Sequence, residues 1–150
     1  MRLVVQRVLN SKCEVDNTIT GQIENGYMVL VGFGLDDNKE IVEKMAIKLS
    51  KLRVFEDDNQ KMNLDIYAVN GKVLSISQFT LYADASKGNR PSFVNALSGE
   101  KAIELYKYFN DCLRKLNLEV EEGVFGADMK ISLLNDGPVT IILNSKEILW

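Results

Sequence analysis

The chain has 150 residues, 46% of them hydrophobic and 26% charged, enough for one domain to bury a core without disulfides or a structural metal. No apolar run approaches the roughly 20 residues needed to cross a bilayer, and a net charge of −3 disfavours broad contact with nucleic-acid phosphates. The chain has no histidine, which excludes every Ser-His, Cys-His and His-zinc arrangement, so any catalysis must run without imidazole.

From the amino terminus, Leu3 to Val8 reads as a first strand. The segment carries no apolar block followed by a small-residue cleavage site, so a cytoplasmic protein is expected. Gly21 and Asn25-Gly26 punctuate further strands around Cys13–Val15, Ile19–Ile23 and Tyr27–Phe33, with Asn25-Gly26 a hairpin signal. Gly32 and Gly34 match neither the dinucleotide fingerprint nor the P-loop, and are read as a strand-to-helix bend. Asp36, Asp37 and Asn38 offer caps for a helix in which Ile41, Val42, Met45, Ala46 and Leu49 fall on one face, through about Leu52.

Arg53-Val54-Phe55 reads as a short strand and 56–61 as a polar loop whose acidic residues lack calcium-loop spacing. After the Asn70-Gly71 turn, Lys72 to Leu81 reads as a strand, with Val73, Ser75, Ser77 and Phe79 alternating against Leu74, Ile76, Gln78 and Thr80. Its far end is polar, so Ser77, Gln78 and Thr80 gather where a strand runs out. The loop 82–93 holds Lys87 and Arg90, which by themselves are surface cations and beside a pocket would meet a phosphate. A second helix is expected from near Ser98-Gly99 to about Leu116, burying Ala102, Ile103, Leu105, Tyr106, Phe109, Cys112, Leu113 and Leu116. Cys13 and Cys112 form no motif and read as ordinary thiols.

Strands follow at Leu118–Glu121 and Met129–Leu134, with 123–127 a loop between them. The closing stretch, Asn135-Asp136-Gly137-Pro138-Val139-Thr140, lies between two apolar runs that would otherwise be one long strand. Proline cannot donate to a ladder and glycine permits unusual backbone angles. Two readings stay open: a tight turn between two strands, or a corner shaped for a site.

Taken together, Ser77-Gln78-Phe79-Thr80-Leu81 and Asn135-Asp136-Gly137-Pro138-Val139-Thr140, with Phe125-Gly126-Ala127-Asp128-Met129 shortly before the second, closely resemble the D-aminoacyl-tRNA deacylase family. The likeness runs from Gln6-Arg7-Val8 through the whole chain. It implies an α+β fold of mostly antiparallel, sandwich- or barrel-like sheet with two main amphipathic helices, in a single domain spanning 1–150. It also implies a carboxylic ester hydrolase that frees a D-amino acid from the 3′ end of tRNA, with mischarged glycyl-tRNA a further substrate. No cofactor or metal is implied. The partners would be D-aminoacyl-tRNA and a second copy of the chain, in a homodimer whose active sites cross between subunits. By the same resemblance Gly137 and Pro138 form a cis corner that enters the partner's pocket, with Arg7 bracing it. Ser77, Gln78, Phe79 and Thr80 surround the scissile ester, and Phe125 and Met129 line the pocket for the terminal adenosine.

Chemistry bears on the role of Thr80. An unassisted hydroxyl is a poor nucleophile, and without histidine only a lysine or a carboxylate such as Asp84 is left to activate it. The preferred reading is an enzyme that positions a reactive ester, with backbone N–H groups near Phe79 and Thr80 stabilising the oxyanion. Two rivals are a non-catalytic nucleic-acid-binding module and a Thr80-dependent acyl hydrolase of a small metabolite.

Overall fold

Three antiparallel partners gather around the first strand. The structure, a computed structural model, describes residues 1–148. Strand β1 (Arg2–Val15) pairs on one side with β2 (Thr18–Ile23) and β3 (Gly26–Gly32), and on the other with β8 (Lys130–Asn144). Pairing with β8, interrupted by register shifts between Gln6 and Val8 and between Val8 and Asn10, carries β1 past Leu9 as one strand, where the sequence suggested a gap between two strands.

Beyond β3 the sheet becomes parallel. Strand β6 (Lys72–Ser77) runs parallel to β3, and β7 (Val120–Glu122) parallel to β6. Parallel neighbours need a crossover, and the two helices lie in those crossovers. Helix α1 (Lys39–Ser50) starts at Asn38, whose side chain accepts the Ile41 N–H at 3.1 Å. Helix α2 (Gly99–Lys115) occupies the second crossover and packs against α1. Between them, β4 (Phe55–Glu56) and β5 (Met62–Leu64) form a small hairpin where only a short strand and a loop were expected.

The core has two parts. On one face of the sheet Leu3, Val5, Val29 and Val31 meet Val42, Met45 and Leu49 of α1 and Phe109 and Leu113 of α2. Full burial of such side chains stabilises by about 1.5–3 kcal/mol each. Val8, Cys13, Ile23, Met28, Leu74 and Ile76 form a second cluster enclosed by the curl of the sheet. That curl brings β2 back toward β7: a Cβ on Gly21 would stand 2.6 Å from the Glu122 carbonyl oxygen. The result is a nearly closed, barrel-like sheet with two helices, the expected fold class.

The alternation expected along 72–81 does not hold. Val73, Leu74, Ser75 and Ile76 are all buried, because β6 has a strand on each side, the helices over one face and the barrel interior under the other. The strand stops at Ser77, and Phe79–Tyr82 forms a 3₁₀ turn.

Candidate active site

The polar end of β6 opens into a pocket of about 310 Å³. Ser77, Gln78 and Phe79 form one wall, and Phe125 and Met129, on the segment entering β8, form the other. Val31, Phe33 and Ile131 contribute apolar surface between them. Two stretches nearly fifty residues apart in the sequence thus line one pocket, because β6 and β8 both border the same mouth of the curled sheet.

Helix α2 holds both walls. The Tyr106 hydroxyl donates to the Ser75 carbonyl at 2.7 Å, and its ring lies 5.8 Å from that of Phe125. Burial raises the Tyr106 phenol above its ordinary range, so it is a neutral donor at physiological pH. The Gly123 N–H donates to the same Ser75 carbonyl at 3.1 Å, fixing the start of the loop that carries Phe125.

Thr80 stands at the rim. It is exposed, it is not part of the pocket lining, and its hydroxyl accepts a hydrogen bond from the Gln78 amide. Phe79 and Thr80 open the 3₁₀ turn, where the first N–H groups have no acceptor within the turn itself. Arg2 anchors the other end, donating through Nη1 to the Leu81 carbonyl at 2.8 Å with its guanidinium 4.6 Å from the Tyr82 ring centre. Arg2 was not singled out in the sequence, and 79 positions separate it from Leu81. Nothing local in the sequence marks that contact.

Asp84 is engaged elsewhere. Its carboxylate accepts the Ser86 N–H at 2.9 Å, and hydrogen bonds from the Ser86 hydroxyl and N–H hold it below the usual carboxylate range. The loop is closed by paired hydrogen bonds between Asp84 and Ser92, and Phe93 meets the Phe79 ring edge-on at 5.1 Å. Phe93 is a second neighbour the sequence did not reveal. Lys87 and Arg90 are exposed on this loop and do not line the pocket.

The corner lies in neither a turn nor the pocket. Gln6 pairs with Thr140 and Val8 with Asn135, so Asp136, Gly137, Pro138 and Val139 bulge out opposite the single residue Arg7. Both flanks pair with β1 in the same direction, so the turn reading is set aside: β8 is one strand with a protruding loop. The Gly137-Pro138 bond is cis, and both residues are exposed. Asn135 ties the base of the bulge, its Oδ1 accepting the Val139 N–H at 2.9 Å and its Nδ2 donating to the Thr140 hydroxyl at 3.2 Å. Arg7 supports it from beneath, only 5% exposed. Its Nε donates to the Asp136 carbonyl at 3.1 Å and its Nη1 to the Val54 carbonyl at 2.7 Å.

Comparison with known proteins adds to this geometry. Residues 4–144 match the family model described as D-Tyr-tRNA(Tyr) deacylase. The chain is 50% identical over 148 residues to the D-aminoacyl-tRNA deacylase of Thermosipho africanus, covering 99% of each chain. It is 54% identical over 144 residues to that of Deinococcus radiodurans, covering 96% of this chain and 99% of the other. Among solved structures, the c-Myc DNA Unwinding Element Binding Protein superposes with a TM-score of 0.90 at 38% identity, over 96% of this chain and 98% of that one.

Proposed function

The chain belongs to the D-aminoacyl-tRNA deacylase family and is a hydrolase of D-aminoacyl-tRNA; on that premise we propose that its reaction is run by the pocket between Ser77-Gln78-Phe79 and Phe125-Met129. The terminal adenosine lies against the wall that Phe125 and Met129 form, and the ester lies along the exit of β6. N–H groups of Phe79 and Thr80 receive the oxyanion, a contribution of about 3 kcal/mol for one well-placed donor. Water, assisted by the ribose 2′-hydroxyl, adds to the ester carbonyl; the ester C–O bond then breaks, giving free D-amino acid and a tRNA 3′ terminus.

Thr80 positions the ester rather than attacking it. The support is that its hydroxyl's neighbour is the Gln78 amide, which cannot take a proton, while Asp84 is held by Ser86. The acyl-hydrolase rival needs a base that neither side chain supplies.

Chirality is read by the Gly137-Pro138 corner of a second copy. The observation that carries this is a braced, exposed corner absent from the lining of its own chain's pocket. Strand β8 also has β1 as its only strand partner among the described residues and exposes Leu134 and Ile142, an open edge suited to a homodimer. A backbone wall rejects L side chains by clash and tolerates many D ones, so glycine on tRNA is also cleaved.

Parallel assays on D-Tyr-tRNA, L-Tyr-tRNA and Gly-tRNA test this. The first and third should be hydrolysed and the second spared. Equal cleavage of both enantiomers would remove the chiral wall, and binding of tRNA without release of amino acid would favour the non-catalytic rival.

A further inference from the structure

A second concave surface lies on the outer side of α1, away from the pocket just described. Lys44, Lys48 and Lys51 recur at four- and three-residue spacing, which places them along one helix face, and Arg53 continues the row past the helix end. With Ile47 and Leu52 as an apolar floor they line a groove of about 430 Å³. Lys44 pairs with Glu40 at 2.8 Å. The Arg53 Nε donates to the neutral Asn63 carbonyl at 2.7 Å, so its charge is not offset. Neither Lys48 nor Lys51 has an acidic partner among the described residues.

Four cations in ten positions, in a chain whose net charge is −3, make a local site for a polyanion. Cations near a helix C-terminus do offset its dipole. That accounts for Lys48 and Lys51 singly, but for neither Arg53 nor the groove between them.

The position of the groove matters as much as its sign. Arg53 is followed by Val54, whose carbonyl is held by Arg7 at 2.7 Å, and the same guanidinium holds the Asp136 carbonyl at 3.1 Å. Groove and corner are therefore joined through one buried side chain.

We propose that the Lys44–Arg53 groove receives the phosphodiester backbone of the tRNA whose aminoacyl end lies against the corner, in the partner's pocket. This rests on the cross-subunit reading above. The acidic chain thereby concentrates its positive charge where the substrate's backbone leaves the site.

The test compares the wild type with a Lys48→Gln/Lys51→Gln variant on two substrates: D-Tyr-tRNA, and D-tyrosyl-adenosine, which has no phosphates. For the tRNA, kcat/KM should fall roughly tenfold at low salt, and the slope of log kcat/KM against log salt should shrink by about 2, with kcat unchanged. For D-tyrosyl-adenosine nothing should change. Unchanged tRNA kinetics and salt slope in the variant would overturn the proposal, as would equal losses on both substrates. A wild type inactive on both substrates would instead overturn the deacylase reading. A groove that serves an acidic protein would leave the tRNA kinetics untouched, and so counts against the proposal.

Discussion

Arg7 and Asp136 are joined where β8 leaves the ladder: the guanidinium Nε lies 3.1 Å from the Asp136 carbonyl oxygen and 3.2 Å from its carboxylate. A charge only 5% exposed is thereby spent on holding a backbone loop away from the sheet. Strand pairing alone leaves four residues without a register partner.

Arg7→Ala should therefore cost about 3–5 kcal/mol, because it leaves the Val54 and Asp136 carbonyls short of their buried donor. Arg7→Lys should cost less, about 1–3 kcal/mol, since an ammonium cannot reproduce the fork. Urea unfolding measures both. In Arg7→Lys the ratio of D- to L-Tyr-tRNA cleavage should drop before turnover on the D substrate does. Glu56, 54% exposed and 3.6 Å from Arg7, adds little; Glu56→Gln should lie within about 1 kcal/mol of wild type.

Gly137→Ala should displace the corner. The residue sits at φ +124°, and an added Cβ would come within 2.9 Å of Val139 Cγ2 and 3.0 Å of Arg7 Nη2. A loss of about 1–3 kcal/mol is expected. Kinetics should show weakened rejection of L-Tyr-tRNA; a variant with intact discrimination would separate the corner from chiral selection.

Thr80→Ala should keep turnover within about tenfold of wild type, since a positioned general base is worth about 10²–10⁴ and Thr80 has none. Single-turnover assays with trapping of any acyl-enzyme decide the point. A thousandfold loss together with a trapped intermediate would restore the nucleophile.

Asp84 gives the expected pH behaviour a sign. Its carboxyl is held low by the Ser86 hydroxyl and N–H, so its ionised form is favoured in the fold. That contribution is present above the ordinary carboxylate range and is lost as pH falls through the depressed value. From about pH 5 upward Asp84 adds no limb to the deacylation profile, and Asp84→Asn should leave the profile unchanged there.

Tyr106→Phe removes the donor to the Ser75 carbonyl but leaves the Gly123 N–H bound to it. The cost should be about 1 kcal/mol, read by thermal unfolding. Tyr106→Ala also removes the ring beside Phe125, and should raise KM for the tRNA more than it lowers kcat.

Much of this could be read along the chain. The apolar spacing of Val42, Met45 and Leu49, and of Leu105, Phe109 and Leu113, marked both helices, because a helix buries one face whatever it packs against. The interruption at Gly137-Pro138 and the polar exit of β6 were visible too, since each is a local break in an apolar pattern.

Only the tertiary structure decided what those breaks do. Pairing with β1 on both flanks made the corner a bulge rather than a turn, and burial on both faces replaced the alternation of β6 with a run of enclosed residues. The bonds from Arg2 to Leu81 and from Arg7 to Val54 join residues with no sequence relationship, and while the resemblance linked Arg7 to the corner, the carbonyl of Asp136 as the atom it holds is seen only in the fold. Periodicity records how one segment meets solvent; which backbone carbonyl a distant guanidinium reaches depends on the sheet's curl and register, which no single segment contains.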